Sequence, residues 1–219
     1  MSFNLKSIII ASSVGFAAML TACQSSNKKL PIMGERTWEE KVVDGKTITD
    51  TIYHQIPSFT FVNQYSDTIT EKNVANKIYV TDFFFTSCPT ICQVMKKNML
   101  KVYSAIKGQE DVMILSHTID PRNDVPEVLK QFAEDMGVTG TQWMFLTGPK
   151  EKVFEIGQGS YMVAAQEDST VQGGILHSGA FVLVDKDRHV RGMYDGTDEA
   201  KVKDLIRDIE ILRKEYAQN

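Results

Sequence analysis

The sequence predicts an α/β domain built on one mixed sheet, and three features carry that prediction. From Ile78 to Phe85 runs an apolar, aromatic-rich stretch without period-two alternation, the mark of a strand buried on both faces. A helical pattern follows at once: Ile91, Met95, Met99, Val102 and Ile106 recur at the three-to-four spacing of one helix face. Strand and helix patterns then alternate, and the chain closes with a hairpin and a long amphipathic helix.

The first 22 residues stand apart. Lys6 precedes an apolar run from Ile8 to Leu20, with the length and flanks of a signal peptide. Leu20-Thr21-Ala22-Cys23 then matches the bacterial lipobox, so residues 1–22 are expected to be a lipoprotein signal peptide and Cys23 the site of lipid attachment. This predicts a protein of the bacterial cell envelope, lipid-anchored to a membrane, with its domain outside the cytoplasm. Residues 23–56 read as a tether and N-terminal extension, polar at its start, with a short hairpin expected around Asp44-Gly45.

The folded domain is expected over residues 57–219. Phe59–Val62 and Asp67–Thr70 read as two short strands, extra to the core, before the central strand. After the first helix, Asp111–Ser116 is the next buried strand. Asp124, with Glu127 three residues on, has a capping-box pattern for a helix whose face is Val125, Val128, Leu129, Phe132 and Met136. Trp143–Leu146 is a short strand, Gly148-Pro149 opens a helix to about Ile156, and residues 157–174 read as irregular. Ala180–Val184 and Val190–Tyr194 pair as a hairpin, and Thr197 is expected to cap the last helix. This order is thioredoxin-like: a central mixed sheet flanked by helices, with additional N-terminal strands.

Cys88 and Cys92 fall where the central strand feeds its helix. Backbone N–H groups unpaired in a first helical turn favour negative charge, so a lowered thiol pKa is expected there. The Cys-x-x-x-Cys spacing puts both on one helix face, with Cβ atoms roughly 5–6 Å apart. A disulfide prefers nearer ~4 Å, so one forms here with local adjustment, whereas two convergent thiolates suit one soft metal ion. Two buried structural cysteines are the plainer alternative. With Cys23 committed to lipid, these are the only thiols left, and one isolated pair is no disulfide framework for a domain of this size.

Of the four histidines, His177 stands in Gly173-Gly174-Ile175-Leu176-His177-Ser178-Gly179, on the loop entering the strand at Ala180. In a thioredoxin-like sheet that loop meets the cysteine loop, and two thiolates with one imidazole suit Cu(I). His117 lies near the carboxyl edge of the sheet without a decided face, and His54 and His189 read as solvated. Asp120, in Thr118-Ile119-Asp120-Pro121, sits where open α/β sheets bind ligands, though a turn aspartate explains it equally well. Acidic residues outnumber basic ones, 28 to 24, which argues against nucleic acid as a partner.

Taken together, Phe85-Thr86-Ser87-Cys88-Pro89-Thr90-Ile91-Cys92, Ile119-Asp120-Pro121-Arg122-Asn123-Asp124, His177-Ser178 and Tyr194-Asp195-Gly196 resemble the SCO/SenC family. The resemblance implies a membrane-anchored copper protein serving assembly of the CuA centre of cytochrome c oxidase. It implies Cys88, Cys92 and His177 as metal ligands, Cys88 and Cys92 as a redox-active pair, and Asp120 as a neighbour affecting metal retention. The implied partners are the oxidase subunit carrying CuA and a copper donor or thiol reductant. Gln93 departs from the pattern, since family members commonly carry Pro there. Against this metallochaperone reading stands a thiol–disulfide oxidoreductase that reduces the cysteines of a partner's metal site. Cys-x-x-x-Cys with a downstream histidine favours metal, because an oxidoreductase needs only the thiols.

Overall fold

The structure, a computed structural model, describes residues 29–89, 91–163, 165–167 and 175–218. The expected signal peptide and Cys23 lie outside the described residues.

Seven strands form the main sheet. The central one, β5 (Ile78–Phe84), is buried at every position, which is why its sequence shows no alternation. It runs parallel to β6 (Val112–Thr118), which in turn runs parallel to β7 (Trp143–Thr147). On the other flank β10 (Ala180–Val184) pairs antiparallel with β5, and β11 (Val190–Asp195) closes that edge. The extra strands β3 (Thr60–Asn63) and β4 (Thr68–Thr70) extend the sheet beyond β7, giving the order β11-β10-β5-β6-β7-β3-β4.

Helix α1 (Cys92–Ile106) follows β5, and α2 (Pro126–Asp135) follows β6. Both cover the sheet face that carries Phe84, Ser116 and Phe145, with Phe132 of α2 stacked on Phe84 at 5.4 Å. Helix α4 (Glu199–Ala217) lies against α1 and β11. The opposite face is met by α3 (Lys150–Gly159), where a Cβ at Gly157 would sit 3.0 Å from the Phe83 ring, a contact tight enough that any larger residue would have to push the ring aside. This is the mixed, helix-flanked sheet that the sequence predicts.

Several boundaries differ from expectation. The N-cap of α2 is Val125, without a side-chain cap, because Pro126 occupies the first helical position and Asp124 is engaged elsewhere. The N-cap of α4 is Asp198, whose carboxylate accepts from the Ala200 N–H, while Thr197 donates to Asp195. Within the stretch read as irregular, the backbone forms a small ladder of β8 (Ala165–Glu167) and β9 (Ile175–His177).

The N-terminal extension is more than a tether. Leu30 is buried in the core, and the Arg191 guanidinium donates to the Leu30 and Pro31 carbonyls while also bonding Asp185 and Glu215. The expected hairpin follows as β1 (Arg36–Val43) and β2 (Lys46–Tyr53), turning at Asp44 and Gly45, both with positive φ. It is exposed almost throughout and carries Trp38 and Val42 into solvent.

Candidate metal centre

The carboxyl end of β5 delivers the cysteines. Beyond Phe84 the chain turns, the Cys88 N–H donating to the Phe85 carbonyl at 3.2 Å, and α1 begins at Cys92. Cys88 and Cys92 are 3% and 8% exposed, are not joined in a disulfide, and place their sulfurs within hydrogen-bond reach of each other. The two thiols are neighbours, but not as an i,i+4 pair on one helix face as expected: Cys88 lies in the turn before α1, and only Cys92 is helical.

The expected lowering of thiol pKa does not follow for Cys92. Burial pushes this thiol well above the ordinary range, and the adjacent Cys88 adds to the rise; a backbone bond at Phe85 opposes it too weakly. Desolvation outweighs the partial charge of one helix start.

Cys92 lines a small cavity of about 20 Å³ together with Met95, Met99, Met136, Asp82 and Ser116. Asp82 is a residue that sequence reasoning passed over. It is buried on β5, accepts a 2.5 Å hydrogen bond from the Ser116 hydroxyl, and burial pushes its carboxyl up to about 7. Ser116 in turn accepts from the Trp143 indole at 2.9 Å. Two roomier clefts among the described residues, of about 780 and 750 Å³, are lined by other parts of the chain and by neither cysteine.

For His177 the structure describes the backbone only, at the end of β9 opposite Ala165. Strand β10 runs antiparallel to β5, with Val182 opposite Thr81, so the N-terminal end of β10, three residues after His177, lies toward the carboxyl end of β5. The Gly179 backbone is already against the cysteine helix, since a Cβ there would lie 3.8 Å from the Met95 sulfur. Backbone topology thus brings the histidine-bearing loop to the end of the sheet that holds both cysteines.

The remaining candidates separate. Asp120 is half-buried in its own turn, accepting from the Asn123 amide at 2.7 Å while its N–H donates to Thr118. His117 belongs to the opposite face of the sheet: it stacks on Phe83 at 5.3 Å, meets Phe61 edge-on at 4.9 Å, and is fully buried. Neither ring nitrogen has a hydrogen-bond partner among the described residues, and burial pushes its pKa down to about 3. His54 and His189, expected in solvent, are partly buried: His54 Nε2 lies 2.8 Å from the Ser160 carbonyl, and His189 Nδ1 lies 3.6 Å from Asp185.

The SCO1/SenC family model matches residues 49–213. The chain belongs to the SCO1/SenC family. A SCO1/SenC lipoprotein from Bacillus anthracis superposes with a TM-score of 0.67 at 30% identity, over 73% of this chain and 95% of that one. BsSco, described as a cytochrome c oxidase assembly protein with a disulfide switch, gives a TM-score of 0.64 at 29% identity, over 73% and 93%. Copper-bound ScoI of Bradyrhizobium japonicum shares the fold at 22% identity, with a TM-score of 0.57 over 69% and 97%. Gln93 reaches back from α1 and donates its side-chain N–H₂ to the Cys88 carbonyl at 3.4 Å.

Proposed function

We propose that this SCO1/SenC protein is a copper-binding metallochaperone that delivers copper to the CuA centre of cytochrome c oxidase. The observation that carries this reading is the pair of buried, neighbouring thiols at a sheet end shared with the loop bearing His177. Cys88 and Cys92 would bind copper as thiolates and His177 through its imidazole, a soft, low-coordinate donor set suited to Cu(I). Copper is cargo here, so the site must release what it binds. Because burial holds Cys92 protonated, loading displaces protons, and transfer to a partner's thiols proceeds by ligand exchange while protons return. The buried position keeps the thiols from solvent until a partner or donor docks.

The anchoring reading rests on Leu20-Thr21-Ala22-Cys23. Lipid on Cys23 would hold the domain at a membrane of the cell envelope, within reach of a membrane-embedded oxidase. A Cys23→Ser protein should leave membrane fractions or remain unprocessed; unchanged attachment and processing would contradict the anchor.

The second reading is a thiol–disulfide oxidoreductase acting on the partner's cysteines, favoured by the contact between the two sulfurs. His177 separates the two roles, since copper needs a third ligand and disulfide exchange depends on thiol supply and access. Delivery predicts that His177→Ala impairs oxidase activity in cells nearly as much as Cys88→Ser. Normal oxidase in the His177→Ala strain, beside an inactive Cys88→Ser strain, would assign the protein to reduction instead.

A further inference from the structure

We infer that Asp124 is the positioning residue that fixes where the cysteine loop leaves the sheet. Its side chain is 1% exposed, yet it caps no helix. Instead its carboxylate accepts three hydrogen bonds across the end of the sheet. The Thr86 N–H donates at 3.1 Å, the Thr86 hydroxyl at 2.5 Å, and the Thr118 hydroxyl supplies the third. Thr86 lies two residues before Cys88, and Thr118 ends β6, so one carboxylate joins the root of the cysteine loop to the neighbouring strand.

The turn before it serves this contact. The Asp120 carbonyl receives the N–H groups of Asn123 and Asp124 at 3.1 and 3.0 Å, and the Asp120 N–H donates to the Thr118 hydroxyl at 3.0 Å. Asp120 thereby shapes the turn that aims Asp124, and it acts on the cysteine site at one remove. The motif Asp120-Pro121-Arg122-Asn123-Asp124 reads as a device for delivering one buried acceptor. An amide in this place can keep its carbonyl on the Thr86 N–H and the Thr118 hydroxyl and turn its N–H₂ to the Thr86 hydroxyl, but it carries no charge, and charge-assisted hydrogen bonds are about twice as strong as neutral ones. The neutral variant therefore weakens the tie to Thr86, and the relative placement of Cys88 and Cys92 loosens.

The inference rests on the copper reading for one of its two readouts only. In the purified full chain, the Cys88–Cys92 disulfide is equilibrated against a glutathione redox buffer, and Cu(I) affinity is measured by competition with a chromophoric chelator. Asp124→Asn is expected to shift both by about tenfold or more, the usual range for a residue that orients a metal ligand from behind. Thr118→Val, which deletes one of the three bonds and the acceptor of the Asp120 N–H, should shift both in the same direction, and it keeps the test open should Asp124→Asn not fold. Arg191→Met supplies a control that destabilises the domain far from the cysteines; a merely structural Asp124 would move the two readouts no more than this control. Unchanged values in Asp124→Asn and Thr118→Val, or values equal to the Arg191→Met control, would overturn the inference. Should the wild type bind no copper while Asp124→Asn still shifts the disulfide equilibrium, the copper reading fails and the positioning role stands.

Discussion

Removing the buried imidazole of His117 should make the protein's stability less sensitive to acid. His117 packs among Phe61, Phe83 and Tyr161 without a hydrogen-bond partner among the described residues, and its pKa is pushed down to about 3. In the unfolded chain the same group takes up its proton near the ordinary ~6.5. The stability linked to it is whole above that pH and is lost as pH falls, because only the unfolded state gains the proton. Between pH 7 and pH 5 the loss is ~2 kcal/mol from this one side chain. Asp82 runs the opposite way: with its carboxyl raised to about 7, the folded state binds the extra proton, and acid restores ~2 kcal/mol over the same interval. The two nearly cancel, so the wild-type curve hides both and the variant exposes one. Urea unfolding of reduced wild type and His117→Leu at pH 7 and pH 5 makes the comparison. The variant should be at least as stable at pH 7 and relatively more stable by ~2 kcal/mol at pH 5. An identical pH dependence in both proteins would refute the assignment of His117 as a buried, neutral imidazole.

Asp82→Asn should show the mirror image, gaining up to ~4 kcal/mol above pH 8 and almost nothing near pH 4, as read from denaturant midpoints. Arg191→Met leaves the buried Asp185 and part-buried Glu215 carboxylates without their shared cation, and should cost ~3–5 kcal/mol in the same assay. Trp38→Ser on the exposed hairpin should change the melting free energy by less than ~0.5 kcal/mol, since the ring is 70% exposed. A larger loss would mean that β1 and β2 are covered by part of the chain.

The sheet and the cysteine site were legible for a common reason: both are written in local pattern. Seven consecutive buried positions in β5 produce an unbroken apolar run, and α1 announces itself through the spacing of Met95, Met99, Val102 and Ile106. The same full burial hid other residues. A strand covered on both faces has no alternation, so parity could not say that His117 turns away from the cysteines and Asp82 toward them. The spacing of Asp124 and Glu127 imitates a helix cap, and only the long-range partner Thr86, 38 residues away, shows the carboxylate's use. The helix start points to an acidified thiol at Cys92, but how strongly burial opposes it depends on tertiary packing that sequence does not carry. The small ladder of β8 and β9 was missed because three-residue strands leave too short a pattern.

The central claim is that Cys88 and Cys92, as reduced thiols, form a copper site. Its most direct test is metal analysis of the purified protein after exposure to Cu(I), in the reduced form and again after oxidation to the Cys88–Cys92 disulfide. The account predicts about one copper per reduced chain and none retained by the disulfide form, whose thiolate ligands are consumed. A reduced protein that binds no copper, or a disulfide form that binds it equally well, would contradict the account.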